Sequence, residues 1–453
     1  MEDTIEKFKK GVQYVPIASA VTKKELTPAK ESDVDFNGYS MTKFIPASGA
    51  ATRMFKDLYT FLEDKENTAF VNTFFDNLKS FAFYEVLESY VDLNELDTDK
   101  LEDRLLIANK LLNDMNYGDT PKVLLPFHNY GQTIKTPIEE HIYEGERYLD
   151  SENVTLHFTI SKKHEDEFNT YIRKVLADKP HVSITYSHQE EDTDTMAVDL
   201  NNEPFYLDNG EILYRPGGHG ALINNLNDRP EDIIFIKNID NVTHQSRIEE
   251  TISSKKMLAS IGLEVKKQID TYIQQLQSDE YDLDEISSFI KDRLNITLKT
   301  DMTKEKALAF LDRPLRVAGV VKNQGEPGGG PYVVDNGEYT DLQILEKAEI
   351  NLNDESQEAI LSNSEYFNPV DLVCFTNNYK GEKYNLLDFV NEDRYFISEK
   401  THEGRPLKAL EHPGLWNGAM HNWNTVFVEV PLSTFNPVKQ INDLLKEGHK
   451  EKR

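Results

Sequence analysis

Cysteine is nearly absent from this chain: there is one, Cys374, in 453 residues. A single thiol excludes an intrachain disulfide and any metal site built on cysteines. It lies in an apolar, β-branched run, 370–375, which marks it as a small core hydrophobe. Positive charge is also in deficit. Fifty Lys and Arg against 79 Asp and Glu leave a formal net charge of −29. That balance argues against a nucleic-acid partner, whose phosphates need clustered cations. It leaves room for a small phosphorylated ligand, which needs only a few local cations and backbone N–H groups. No run approaches the ~20 apolar residues of a membrane span. The first residues, MEDTIEKFKKG, lack the apolar stretch of a signal peptide. The expectation is a cytoplasmic protein with no membrane partner, in which the sequons at Asn241 and Asn295 are chance occurrences.

What the chain does have is the material of an α/β core. Short apolar runs at 42–46, 122–126, 154–160, 182–186, 233–237, 316–321, 370–375 and 425–430 read as strands. Helix-period segments separate them, the alternation that builds βαβ units. The expected fold is therefore α/β, with a mainly parallel mixed central sheet and helices on both faces. Thr136-Pro137-Ile138-Glu139 is a capping-box helix start, so a helix is predicted over 137–149. Residues 54–116 and 245–310 read as helical additions. The organisation is then an N-terminal helical or extended segment, 1–40; a core, 41–245, with a helical insertion, 54–120; a second helical insertion, 246–310; and 311–453 completing the sheet. The end of the chain, GHKEKR, is expected to fray.

One stretch carries the sharpest chemical signal. In Phe44-Ile45-Pro46-Ala47-Ser48-Gly49-Ala50-Ala51-Thr52-Arg53-Met54, an apolar strand runs into small residues and then into a helix predicted to open at Thr52. Small residues let the backbone approach an anion and aim N–H groups at it. Arg53 adds a planar, permanently charged fork suited to phosphate oxygens. A second feature is Ile233-Ile234-Phe235-Ile236-Lys237-Asn238-Ile239-Asp240-Asn241, a buried-type strand ending in a carboxylate. Ligands of open α/β sheets sit beyond the carboxyl ends of strands, and a hard oxygen donor there suits Mg²⁺. His157, His164, His181 and His188 show no metal-ligand spacing and read as structural or surface histidines.

Gly49-Ala50-Ala51-Thr52-Arg53-Met54 resembles the signature loop of the sugar-nucleotide pyrophosphorylases, G-x-G-T-R-[LM], with Ala51 in place of the second glycine. Pro121-Lys122-Val123-Leu124-Leu125-Pro126 resembles that family's P-K-x-L-L-P strand. Arg215-Pro216-Gly217-Gly218-His219-Gly220-Ala221-Leu222 is similar to the P-x-G-x-G-x-L segment of its UDP-sugar members. Asn238-Ile239-Asp240-Asn241 resembles the family's metal motif.

The resemblance covers about 41–245 and fades afterwards. It implies a nucleotidyltransferase fold of Rossmann-like type. The implied reaction joins a nucleoside triphosphate, UTP by preference, to a sugar 1-phosphate and releases pyrophosphate, with Mg²⁺ as cofactor. Ser48, Gly49, Ala50, Ala51 and Thr52 would hold phosphates beside Arg53. Lys122 would bring the α-phosphate and the attacking phosphate together, and Asp240 would hold the metal. Gln189, Gly217, Gly218 and Gly220 would meet the base and ribose. Asn241, Lys322, Glu326, Asn417 and Asn424 are the sugar-side candidates, while Lys400 reads better as a surface lysine. The runs after 311 look more like an uncharacterised bacterial family of unknown function than like any characterised pyrophosphorylase. Two rival readings stand: a non-catalytic protein that binds a nucleotide or nucleotide-sugar, and a metal-dependent glycosyltransferase. The glycosyltransferase would want an Asp-x-Asp pair, of which Asn238-Ile239-Asp240 is half.

Overall fold

Val154–Ile160 alternates Val154, Leu156, Phe158 and Ile160 with Thr155, His157 and Thr159, yet all but Thr155 are buried, as in a strand covered on both faces. In the computed structural model, which describes residues 2–30, 35–49, 51–149, 152–325 and 328–452, it is flanked in parallel by Met41–Pro46 and Val182–His188. Phe44 faces His157 in register, and Leu156 faces Ile184. Phe44, Ile45, Val154, Leu156 and Phe158 are wholly buried. These strands belong to one of two compact units, made of Met41–His188, Lys237–Lys255 and Pro431–Arg453. The helix Pro137–Gly145 opens as its sequence predicts, with Pro137 in its first turn and the Glu139 carboxylate accepting the Thr136 N–H at 3.0 Å.

The insertion after the signature loop is helical, with Lys56–Asp64, Ala69–Asp76 and Leu101–Asn109 as its main helices. Phe61, Phe74, Phe75, Phe81 and Phe83 form its buried aromatic centre, with Phe74 and Phe75 edge to face at 5.1 Å between centroids. Val438, Ile441 and Leu444, from the other end of the sequence, fill the same cluster. Each such side chain contributes about 1.5–3 kcal/mol by leaving water, so the C-terminal segment is docked. Fraying of GHKEKR is therefore a correction. Glu447–His449 forms a 3₁₀ turn and His449 is 5% exposed.

The other unit comprises Met1–Ser40, Gln189–Ile236 and Lys256–Val430. Here Asn424–Glu429, Leu315–Lys322, Tyr366–Phe375 and Ile233–Lys237 lie side by side in that order. The first pair is parallel and the second antiparallel. Cys374 is fully buried, as expected of a core residue. A separate antiparallel sheet orders Ile17–Ala20, Gly330–Asp335, Tyr339–Leu345 and Thr297–Leu298. Phe396–His402 and Arg405–Glu411 make a hairpin. The α/β class and the mixed sheet agree with the sequence reading; the second sheet and the hairpin were not foreseen. Helices Glu249–Ser278, Leu283–Arg293 and Lys304–Leu311 account for the second helical addition. No described helix is long and apolar enough to cross a membrane.

Two local expectations fail. Residues 122–126 are not a strand: Lys122–Leu124 is a 3₁₀ turn, and Pro126 can donate nothing to a ladder. The helix predicted to open at Thr52 starts at Lys56, behind a 3₁₀ turn over Ala51–Arg53. Met54 and Phe55 N–H both turn back to the Ala51 carbonyl, at 2.8 and 3.3 Å, which tightens that first turn.

Beneath the parallel strands lies a buried charge cluster. Glu144 accepts Lys43 at 3.0 Å and Lys237 at 2.8 Å, with all three side chains at most 1% exposed. Lys255 is also fully buried and acts electrostatically on this pair. Burial pulls the Lys43 ammonium down to about 7 against the opposing pull of Glu144. The Lys237 and Lys43 ammonium groups hold the Glu144 carboxyl well below its ordinary range, against desolvation. Between about 7 and the ordinary 10.5, the unfolded chain keeps a proton on Lys43 that the folded chain gives up, so stability rises with pH across that window. Glu144→Gln strips the cluster of its anion and should lower stability by roughly 3–5 kcal/mol in urea unfolding at pH 7. Lys43→Met, which removes one surplus cation, should lose far less and should abolish the gain in stability between pH 7 and 9. Equal losses for the two variants would contradict the charge assignment.

Candidate functional site

Strand Met41–Pro46 delivers the chain to Ala47, whose N–H donates to Thr159 O at 2.9 Å. Ser48 and Gly49 follow and are exposed, and Ala50 lies outside the described residues. A Cβ on Gly49 would meet no atom within 4 Å, so its smallness leaves open surface rather than admitting a neighbour. Ala51 is fully buried and opens the 3₁₀ turn Ala51–Arg53. Its N–H donates to Thr120 O at 3.3 Å, the Thr52 hydroxyl to Gly118 O at 3.0 Å, and Lys122 N–H to Gly49 O at 3.5 Å. The loop is thereby laced to 118–122, and the whole helical insertion loops out between two segments that touch. Thr52 and Arg53 point their exposure to solvent on this same stretch.

Asp240 follows strand Ile233–Lys237 in the same unit as the loop. The turn is fixed by His141, whose Nε2 meets Ile239 O at 3.1 Å. Asp240 is 5% exposed, and its Oδ2 accepts Lys122 Nζ at 3.0 Å and Lys439 Nζ at 3.2 Å. Burial pushes its carboxyl up, and the two ammonium groups outweigh that and hold it below the usual carboxylate range. Lys122 is locked, because its Nζ also donates to Val438 O at 2.9 Å. Asp240 caps no helix: its carboxylate is taken by the two lysines and the next helical turn begins at Gln245, while its carbonyl accepts Val438 N–H at 3.1 Å.

The C-terminal segment that provides Lys439 runs beside 240–247. Asn436 N–H donates to Asn241 Oδ1 at 2.8 Å and its side chain to Thr243 at 2.9 Å. His244 N–H donates to Gly448 O at 2.9 Å, and Ile441 N–H to Met54 O at 3.1 Å. Asn241 Nδ2 is buried without a partner. At the far end, His449 Nδ1 meets His128 Nε2 at 2.9 Å, and His128 Nδ1 meets Glu140 at 2.9 Å. Tyr130 OH donates to Glu140 as well, at 2.8 Å. The sequence reading passed over Lys439 and its strap, Asn436-Pro437-Val438-Lys439.

The remaining candidates lie in the other unit. Gly217, Gly218 and Gly220 are explained by the chain's own packing. A Cβ on Gly220 would stand 2.2 Å from Pro413 O, one on Gly217 2.5 Å from Thr193 O, and Gly218 has φ +76°. Gly220 lines a cavity of about 240 Å³ with Thr193, Asn224 and His412. Gln189 Nε2 reaches Thr193 Oγ1 at 3.4 Å. Asn417 and Asn424, the sugar-side candidates, are at most 1% exposed, and their amides donate to Ile344 O at 3.2 Å and Phe310 O at 2.9 Å. Asn241, in the unit of the loop, is also 1% exposed. Lys322 is committed to Glu365 at 3.1 Å and to the Tyr366 ring, and Glu326 lies outside the described residues. Lys400 pairs with Glu411 at 3.0 Å. His157 bridges Thr185 and Ser187, and His164, His181 and His188 pair with Glu167, Glu146 and Glu165, all structural contacts. Among the described residues no group of three or more His, Cys, Asp or Glu could hold a metal ion.

The chain belongs to the family described as "Domain of unknown function (DUF4301)", whose model matches residues 1–450. No curated protein matches it. Solved structures resemble it distantly. A mutant UDP-glucose pyrophosphorylase from Leishmania major, in complex with UDP-glucose, is 15% identical with a TM-score of 0.49, over 98% of this chain and 73% of that one. A UDP-glucose phosphorylase from Trypanosoma brucei is 13% identical with a TM-score of 0.46, over 97% and 72%. A putative UDP-N-acetylglucosamine pyrophosphorylase from Entamoeba histolytica is 12% identical with a TM-score of 0.43, over 91% and 78%. At this distance the likeness does not carry an activity across.

His449 on the strap and His244 beside it give this region an acid dependence. Burial, then the neighbouring His128, holds His449 well below the ordinary 6.5, and burial lowers His244 too. Below about 6.5 the unfolded chain takes up protons that the folded chain refuses, so stability falls with falling pH. Chemical denaturation at pH 7 and pH 5 should show this loss, and His449→Asn should flatten it. A variant with the full acid loss would remove His449 from the account.

Proposed function

We propose that this member of the family binds a nucleoside triphosphate by its phosphates on the surface made by the 47–53 loop, Lys122 and Asp240, and works as a sugar-1-phosphate nucleotidyltransferase. One observation supports this above the others. The loop is hydrogen-bonded to the segment bearing Lys122, and Lys122 is held on Asp240, so three motifs separated in sequence meet in one unit. Arg53 and Lys122 would supply positive charge to a polyphosphate. In the proposed step a phosphate oxygen of the sugar 1-phosphate forms a bond to the α-phosphorus. The bond from that phosphorus to the bridging oxygen breaks, and pyrophosphate leaves with the electron pair. The nucleophile is already an anion, so no base is required, and catalysis reduces to positioning and charge neutralisation. The preference for UTP rests on the sequence resemblance of Gln189 and Gly217 to Gly220 alone.

Mg²⁺ belongs to this reading through Asp240. The donor set is one carboxylate, too little for a cage of protein ligands and enough for a cation that arrives on phosphates. The carboxylate is engaged by two lysines, so a cation would have to displace at least one. When bound it would neutralise phosphate charge. The same pairing favours the second reading, a protein that binds the nucleotide and does not turn it over, since Asp240 is neutralised without a metal.

Calorimetry with UTP and other triphosphates, with and without Mg²⁺, tests the binding. Arg53→Ala should weaken it roughly 10- to 100-fold, the worth of one charge-assisted contact, with the thermal midpoint unchanged because Arg53 is exposed. Equal affinity in wild type and variant would sink the phosphate role of the loop. Release of pyrophosphate with a panel of sugar 1-phosphates separates transferase from binding protein.

A further inference from the structure

The end of the strap is closed by an imidazole pair that has room for one proton between its rings and no room for two. His449 Nδ1 meets His128 Nε2 at 2.9 Å, and both rings are buried. His128 is committed on its other side. Three donors converge on the Glu140 carboxylate: His128 Nδ1 at 2.9 Å, Tyr130 OH at 2.8 Å and Gln245 Nε2 at 3.2 Å. A carboxylate accepts and does not donate, so Nδ1 of His128 carries a proton. One further proton is then shared between Nε2 of His128 and Nδ1 of His449. If both rings were charged, two N–H donors would face each other in a place water does not reach. The neighbours do not relieve this. Lys446 on the same turn opposes a charge on His449, as do His128 and His244 from the facing segments, while the Asn436 carbonyl favours it. Arg247 is paired with Glu447, and Glu140 and Glu451 act on His244.

The strap has two anchors of different kind. Upstream, Val438, Ile441 and Leu444 are sunk in the aromatic cluster of the insertion, an apolar hold that carries no charge for pH to change. Residues 446–452 contain no apolar side chain. Besides the imidazole pair they are tied by polar contacts: His244 N–H to Gly448 O at 2.9 Å, Arg247 Nε to Lys450 O at 2.9 Å and Lys452 N–H to Ser246 Oγ at 2.8 Å. We propose that residues 446–452 form a pH-operated latch, closed on 128–130 and 244–247 at neutral pH and released locally in acid, with the rest of the fold intact, when His449 takes a proton. Freed from the pair, His449 titrates at its ordinary 6.5, so this one histidine makes opening about 25-fold more frequent at pH 5 than at pH 7. Opening slackens the segment that brings Val438 O and Lys439 to Lys122 and Asp240, and so reaches the candidate site from outside it. The latch does not depend on what that surface binds.

Hydrogen–deuterium exchange of the full chain at pH 7 and pH 5, corrected for the intrinsic pH dependence of amide exchange, tests this. The amides of His449 and Lys450 are bonded to Lys446 O and Glu447 O, so closure protects them. In wild type, a peptide covering 446–452 should exchange about 25-fold faster at pH 5 after correction, while one covering Val154–Ile160 keeps its protection. His449→Asn should respond to pH no more than that strand does. His181→Asn, at a histidine paired with Glu146, should behave as wild type. The latch is overturned if 446–452 is equally protected at both pH values, if Val154–Ile160 loses protection by the same factor, or if His449→Asn keeps the full response. The wild-type comparison needs no substitution, so a variant that fails to fold leaves the test standing.

Discussion

Asp240 sits at the end of a strand with almost no access to water, and a carboxylate in that position is costly unless cations come to it. Lys122 comes from the exit of a long helical insertion and Lys439 from the last part of the chain. One buried charge therefore decides where two distant segments must lie. The signature loop depends on the same point, because 118–122 is the segment its backbone bonds to. The insertion can be long without disturbing the loop, since its two ends are stitched together at Gly49, Ala51 and Thr52.

The buried cluster under the parallel strands repeats this imbalance. Glu144 serves Lys43 and Lys237, with Lys255 also buried within electrostatic reach. A chain with a net charge of −29 thus concentrates positive charge inside the unit that carries the phosphate-type loop. Net charge governs solubility and long-range steering, whereas a binding surface responds to the few groups within a Debye length. The acidic composition and a local site for anions are compatible for that reason.

Much of this could be read from the sequence where the signal was local. Residues 154–160 and 233–237 are strands over those same bounds, the first because apolar residues alternate with Thr and His at period two, the second because a continuous apolar run lies between polar residues. The helix start at Thr136 was legible from four residues. Residues 122–126 misled because a short apolar run between prolines satisfies a turn as well as a strand. The antiparallel strands Tyr339–Leu345 and Phe396–His402 escaped because polar residues interrupt them. Arg53, Lys122 and Asp240 could be named from motif and spacing. Lys439 was passed over, since its contact with Asp240 lies 199 positions away in sequence.

The two glycine-bearing motifs looked alike in sequence and separate in the folded chain. At Gly220 the space a Cβ would need is taken by the backbone of Pro413, and at Gly217 by Thr193 and His412. Those glycines admit the protein's own chain, so their presence needs no ligand to explain it. At Gly49 nothing occupies that space and φ is not positive, so neither packing nor backbone conformation requires a glycine there. A small residue on an exposed loop, with no internal reason to be small, keeps the backbone approachable from solvent. That approachable stretch is joined by hydrogen bonds to the segment of Lys122 and, through Met54, to the strap of Lys439. The case for an anion on this surface therefore comes from the coincidence of open backbone with surplus positive charge, and it holds without any appeal to the glycines of the other unit.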